Sequence, residues 1–241
     1  MKVANGVYVL PVPRPQDPDS FLNLTLIVDE ENGDTLVDAG LPDQMAAIGA
    51  ALDEAGLAVG DLRRIIFTHQ DLDHIGSGAA FVRQSGARVL AHSEDAPYIE
   101  GSLRPLKLTP EMLKQRPQMR KVLESLEPVS IDEHVEDGTH LDVAGGTQVI
   151  FTPGHTPGHI SLYLERPKVL ITGDALTAEG GSLKGPNQAM TPDMQTAAQS
   201  VRKLADLDVD FIVCYHGGVV DEDANAQLQR VVRETSRDLG E

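Results

Sequence analysis

The 241 residues are 41% hydrophobic and 24% charged, a globular balance that excludes a disordered chain and allows a sizeable core. Against 37 Asp and Glu stand only 20 Lys and Arg, and the net charge of −17 repels phosphate backbones, which sets nucleic acid aside as a partner. No apolar run approaches the roughly 18 residues of a membrane span, and Pro11 interrupts the N-terminus before a signal-peptide core can form, so the expectation is a cytoplasmic chain with no membrane partner.

In chain order, residues 22–28 and 35–38 are apolar runs flanking Glu31-Asn32-Gly33-Asp34, which predicts an antiparallel hairpin. Met45, Ile48, Ala51, Leu52 and Ala55 recur at helical spacing over residues 42–57, with Gly56 as the stop, and a short strand, Ile65-Ile66-Phe67, follows. Residues 94–136 differ from the rest. They contain Pro105, Pro110 and Pro117, helical stretches, and a run of basic residues (Arg104, Lys107, Lys114, Arg116, Arg120, Lys121). This segment reads either as a solvated helical insertion or as a lid whose positive charge draws an anionic small-molecule substrate, and an apolar seam on it would support a homodimer.

Strands are expected at 148–150 and 160–164, after which the first part of the chain is echoed. Residues 169–175 repeat the pattern of 36–40, a helix opening Thr191-Pro192-Asp193 repeats Leu41-Pro42-Asp43, and strand 211–214 leads into His216 as strand 65–67 leads into His69. Two related βα halves follow from this, each delivering a His at the C-terminal end of a strand, where ligand sites of α/β proteins gather. A last helix is expected around 223–237. The single cysteine, Cys214, lies in the apolar run Phe211-Ile212-Val213-Cys214 and reads as a core thiol. With no linker to divide it, the chain is expected to be one domain, 1–241, with the insertion at about 94–136.

Four motifs carry chemistry, all at strand ends. Thr68-His69-Gln70-Asp71-Leu72-Asp73-His74 packs four candidate ligands into six residues; Thr152-Pro153-Gly154-His155-Thr156-Pro157-Gly158-His159 fixes His155 in a rigid turn; Thr172-Gly173-Asp174 offers a carboxylate; and Tyr215-His216-Gly217 adds a further imidazole. No Gly-x-Ser-x-Gly elbow competes with them.

This ordered set resembles the metallo-β-lactamase superfamily from about residue 20 to residue 218, whose pattern is His-x-His-x-Asp-His, a separate His, a bridging Asp and a final His. The resemblance implies an α/β fold, a four-layer αββα sandwich of two related halves. It assigns His69 and His155 to a first metal, Asp73, His74 and His216 to a second, and Asp174 to the bridge between them. The implied cofactors are two divalent ions, zinc first, with manganese or iron as alternatives. Asp71 departs from the pattern by standing where a second His is usual. It is kept in the ligand set, the other outcomes being action through a water and a weakened first site that leaves one metal.

The resemblance further implies hydrolysis of a small-molecule ester, lactone or thioester by metal-activated water, with Asp73 or Asp174 passing the proton onward as catalytic residues. His159 and Asp38 are expected to support the ligands, while His92, His134 and His140 have no partner motif. Two other readings stay open: a mononuclear non-haem iron dioxygenase on His69, His155 and Asp174, and a ligand-binding protein with little turnover. Secreted lactamases are disfavoured by the missing signal peptide, and the nuclease branches by charge and by lack of room for their added domains. Glyoxalase II is disfavoured by the 25 residues that follow His216, too few for its C-terminal helical domain.

Overall fold

A computed structural model describes residues 1–15 and 17–238. Strands β1 (Lys2–Ala4), β2 (Val7–Arg14), β3 (Asp17–Ile27) and β4 (Asp34–Val37) form an antiparallel run, with the Asp29 carboxylate accepting from the backbone N–H groups of Glu31 and Asn32, both at 3.0 Å, in the β3–β4 turn. Helix α1 (Met45–Glu54) leads to β5 (Leu62–Ile66). Then come α2 (Leu72–Ile75), α3 (Gly78–Ser85), β6 (Arg88–His92), α4 (Ala96–Ile99), α5 (Pro110–Gln115), α6 (Pro117–Ser125) and β7 (Glu133–Val135). Strands β4 to β7 are parallel and complete a seven-stranded sheet in sequence order.

The rest of the chain builds β8 (His140–Leu141), β9 (Thr147–Phe151), β10 (Ile160–Leu164), β11 (Val169–Ile171), the hairpin β12 (Thr177–Glu179) and β13 (Ser182–Lys184), α7 (Met194–Lys203), β14 (Phe211–Cys214), β15 (Gly218–Val220) and α8 (Ala224–Asp238). Its sheet runs β15-β14-β11-β10-β9-β8, with β11 and β14 parallel. The repeat is visible in the topology. In each half a strand paired antiparallel to its predecessor (β4, β11) leads to a helix (α1, and α7 after the β12–β13 hairpin), a 3-10 turn (Val59–Asp61, Leu204–Asp206) and a parallel neighbour (β5, β14).

Side-chain alternation along the strands builds the layers. Val37, Ile66, Val169, Ile171 and Val213 share one buried cluster between the two sheets; Leu36 and Ile65 turn the other way, toward Ile48 and Leu52 of α1, and Leu170, Ile212 and Cys214 turn toward Val201 of α7 and Leu228 of α8. The order is helix, sheet, sheet, helix, the four-layer sandwich expected. Two details differ from the expectation. Strands β1 and β2 were not foreseen, because Pro11 and Pro13 speak against a ladder; both are exposed, and β1 pairs only with Val7 and Tyr8, so neither needs an N–H on that side. The segment 94–136 is helical only to Ser125, and its end supplies β7 to the first sheet.

Candidate metal centre

Parallel β5 ends at the loop carrying His69 and Asp71, and α2 then presents Asp73 and His74; from the second sheet, the β9–β10 turn carries His155, the end of β11 carries Asp174 and the end of β14 carries His216. The two sheets are laced together at this edge. Asn23 N donates to the Tyr215 carbonyl at 3.0 Å, and Leu22 pairs with His216 in an isolated antiparallel bridge. Gly217, with φ near +103°, lets the chain turn there: a Cβ would sit 1.7 Å from the Ala178 carbonyl oxygen.

All seven ligand candidates meet. The donor atoms of His69, Asp71 and His155, of His69, His74 and Asp174, and of Asp73, His74 and His216 lie within 4.8 Å of one another in each set. Asp174 faces both sides, with Oδ2 3.1 Å from His155 Nε2 and 3.4 Å from His216 Nε2, and Oδ1 3.4 Å from His74 Nε2. Asp71 Oδ2 lies 3.0 Å from His155 Nε2 and 3.4 Å from His69 Nε2. Asp71, the departure from the family pattern, thus points at the same place as its imidazole neighbours.

Burial alone would drive the carboxyls of Asp71 and Asp174 up; the imidazoles of His155 and His69 around Asp71, and of His216 and His74 around Asp174, hold both well below the usual range. His216 moves the other way, to about 9, because the Asp174 and Asp73 carboxylates outweigh its burial. Three buried atoms, His69 Nε2, His74 Nε2 and Asp174 Oδ1, have no hydrogen-bond partner among the described residues. Folded proteins rarely leave such atoms unpaired, and imidazole nitrogens with carboxylate oxygens are the donors a divalent ion such as zinc takes. The residues fit a metal centre.

The groups behind the candidate ligands aim them. His74 Nδ1 donates to Asp38 Oδ2 at 2.9 Å, and His69 Nδ1 to Thr68 Oγ1 at 3.0 Å, which turns each Nε2 lone pair inward. Thr68 itself donates to Asp38 through N and Oγ1. His159, held neutral by burial beside His69 and His155, accepts from Asp174 N at 2.9 Å and so fixes the backbone of that residue. His159 and Asp38 thus each hydrogen-bond to a candidate ligand residue.

Sequence reasoning missed Asp95, which no motif marks. Fully buried, it accepts from Gln70 N (2.9 Å), Gln70 Nε2 (3.0 Å), Thr156 Oγ1 (2.7 Å) and Gly158 N (2.8 Å), tying the His69 loop to the His155 turn. It also missed Thr68, Arg14, whose guanidinium lies 3.6 Å from Asp73 Oδ2, and the reach of Lys107, whose Nζ lies 2.5 Å from Asp71 Oδ2. The remaining histidines lie elsewhere. His92 is buried against Phe151 and paired with Glu136 at 3.0 Å, while His134 and His140 are exposed. Cys214 is buried in the core, and the Tyr215 hydroxyl donates to the Asp73 carbonyl while its ring lies 3.8 Å from that of His74.

The family model for the metallo-beta-lactamase superfamily matches residues 18–216. The chain is similar to the probable metallo-hydrolase YflN of Bacillus subtilis, 31% identical over 235 residues that cover 90% of this chain and 81% of the relative. It is also similar to the hydroxyacylglutathione hydrolase GloC of Haemophilus influenzae, 28% identical over 194 residues, 79% of this chain and 82% of the relative. Among solved structures, a metallo-beta-lactamase family protein from Thermus thermophilus superposes with a TM-score of 0.77 at 28% identity, covering 98% of this chain and 81% of that one.

Proposed function

The chain belongs to the metallo-beta-lactamase superfamily, a superfamily of metallo-hydrolases, and from that premise we propose that it hydrolyses a small-molecule ester, thioester or lactone with two divalent ions, zinc first, held between its two donor sets. The observation that carries this reading is the convergence of buried donor atoms that lack hydrogen-bond partners among the described residues, His69 Nε2, His74 Nε2 and Asp174 Oδ1. Bound there, divalent ions supply Lewis acidity toward a carbonyl and lower the pKa of water toward about 7.

In this reading His69, Asp71 and His155 would hold one ion and Asp73, His74 and His216 the other, with Asp174, which faces both sets, contributing to each. Asp38 keeps the His74 proton on Nδ1 and leaves Nε2 for the ligand role; Thr68 does the same for His69. The neutral His159 fixes the carboxylate of Asp174 through its backbone N–H. Asp73 and Asp174, the carboxylates nearest the His216 ring, are the groups that carry the proton to the leaving group.

The substrate lies against an apolar cleft of about 420 Å³ that borders His155 and is lined by Leu106, Phe151, Pro153, Pro157 and Pro192. Such a wall suits the acyl side of a carboxylic ester or thioester, and Arg14, beside Asp73 and 38% exposed, suits an anionic group on the same molecule. The kinship to a hydroxyacylglutathione hydrolase supports including thioesters.

The test is metal content by elemental analysis of protein purified without added metal or chelator, followed by a panel of esters, thioesters and lactones. Zinc or manganese with turnover of one class is the expected result. One equivalent of iron with oxygen consumption would replace the reading by an oxidative one, and a metal-free protein that turns over nothing would overturn it.

A further inference from the structure

Lys107 Nζ lies 2.5 Å from Asp71 Oδ2 and 2.5 Å from His155 Nε2, two donor atoms that are themselves 3.0 Å apart. The ammonium therefore takes the two atoms that a metal ion in the His69, Asp71, His155 set would need. His155 Nδ1 is turned to Thr191 Oγ1 at 3.4 Å, and Nε2 faces Lys107.

The lysine is held there by the fold. On its N-terminal side, Leu106 N donates to Gln70 Oε1 at 2.9 Å, and Gln70 is fixed by Asp95 at both its backbone and side-chain nitrogens. On its C-terminal side, Leu108 is buried in a cluster with Leu72 and Leu113. Gln70 and Leu72 are the chain neighbours of Asp71, so the loop is fastened on both sides of the carboxylate that its ammonium meets. Two such anchors offset the rotamer entropy that a lysine gives up on being ordered, and the side chain is only 16% exposed.

The charges match as well. The Asp71 carboxylate carries a negative charge that the ammonium neutralises; an ammonium and a divalent ion at the same atoms repel each other and compete for the same lone pairs. Building on the metal-centre reading above, we propose that Lys107 is a tethered cation that competes with a divalent ion for the His69, Asp71, His155 position. The two donor sets then load unequally. One ion binds at Asp73, His74, His216 and Asp174, and a second must displace the lysine.

The experiment is a zinc titration of metal-depleted protein against a chromophoric chelator, with the wild type and Lys107→Met, which keeps an unbranched stem and removes the charge. The wild type is expected to bind the second equivalent at least about tenfold more weakly than the first, and Lys107→Met to tighten the second by about tenfold or more while leaving the first unchanged. Two equivalents bound alike by both proteins would overturn the role of Lys107 and leave the metal centre standing. No zinc bound by either would overturn both. Should the variant fail to fold, the wild type answers alone. Amine acylation read by mass spectrometry should leave Lys107 protected up to one equivalent of zinc and reactive with the second, with exposed Lys114 as reference. Reactivity of Lys107 that does not follow the second equivalent would overturn the proposal.

Discussion

Asp38 Oδ2 accepts from His74 Nδ1 at 2.9 Å, and Asp38 holds that place in the left-handed backbone region, φ +64°. A non-glycine residue there is strained unless its short polar side chain is anchored, as this one is by Thr68 N at 2.8 Å. Asp38→Asn keeps the backbone tolerance and loses the charge that fixes the imidazole. Metal affinity is expected to fall by about 10–100-fold, measured by chelator competition. Unchanged affinity would mean that packing on the Tyr215 ring is enough to orient His74.

Asp174 touches His155, His74 and His216, members of both donor sets. Asp174→Ala should therefore lose metal and hydrolysis together, bringing kcat/KM to the background rate, whereas His134→Ala, at an exposed position, should match the wild type in both. Elemental analysis beside the activity assay checks this, and retention of two ions by Asp174→Ala would remove it from the bridge.

Asp95 is a structural knot. Removing its carboxylate in Asp95→Ala strands four buried donors from two loops, and an unpaired buried group costs about 1–3 kcal/mol. A loss of about 3 kcal/mol is expected in urea unfolding of the metal-free protein, where ion binding cannot mask it. A change below about 0.5 kcal/mol, the usual range for a surface substitution, would show that water replaces the carboxylate.

Burial pushes the Cys214 thiol up to about 12. At pH 8 the native protein should not react with an aromatic disulfide reagent, and the unfolded chain should release one equivalent. The sign of the pH effect follows from linkage. Between pH 9 and 12 the native thiol keeps a proton that the unfolded thiol has lost, so this group's contribution is present below the ordinary thiol pKa and disappears as the pH rises through that window. Denaturant midpoints of wild type and Cys214→Ala across that range measure it; parallel curves would contradict it.

What the sequence disclosed follows from how local each signal is. Strands β10 and β14 stand at the predicted residues because short apolar runs bounded by turn residues report burial directly. The residues that converge at the candidate centre were legible because they lie in compact motifs that follow strands. Lys107, by contrast, was one of several basic residues in the insertion, and only the anchoring of Leu106 on Gln70 and of Leu108 on Leu72 selects it. Asp95 and Thr68 have meaning solely through partners brought together by folding. Strand β2 was hidden by its prolines, whose cost vanishes where the neighbouring strand ends.

His69, Asp71, Asp73 and His74 hang from one sheet, and His155, Asp174 and His216 from the other. Neither half of the repeat therefore carries all the candidate ligands by itself. An ion bound to both acts as a removable cross-link, stabilising the folded chain in step with its free concentration. Halves produced as separate polypeptides would regain tight metal binding only on docking, so ion retention becomes a gauge of their reassembly.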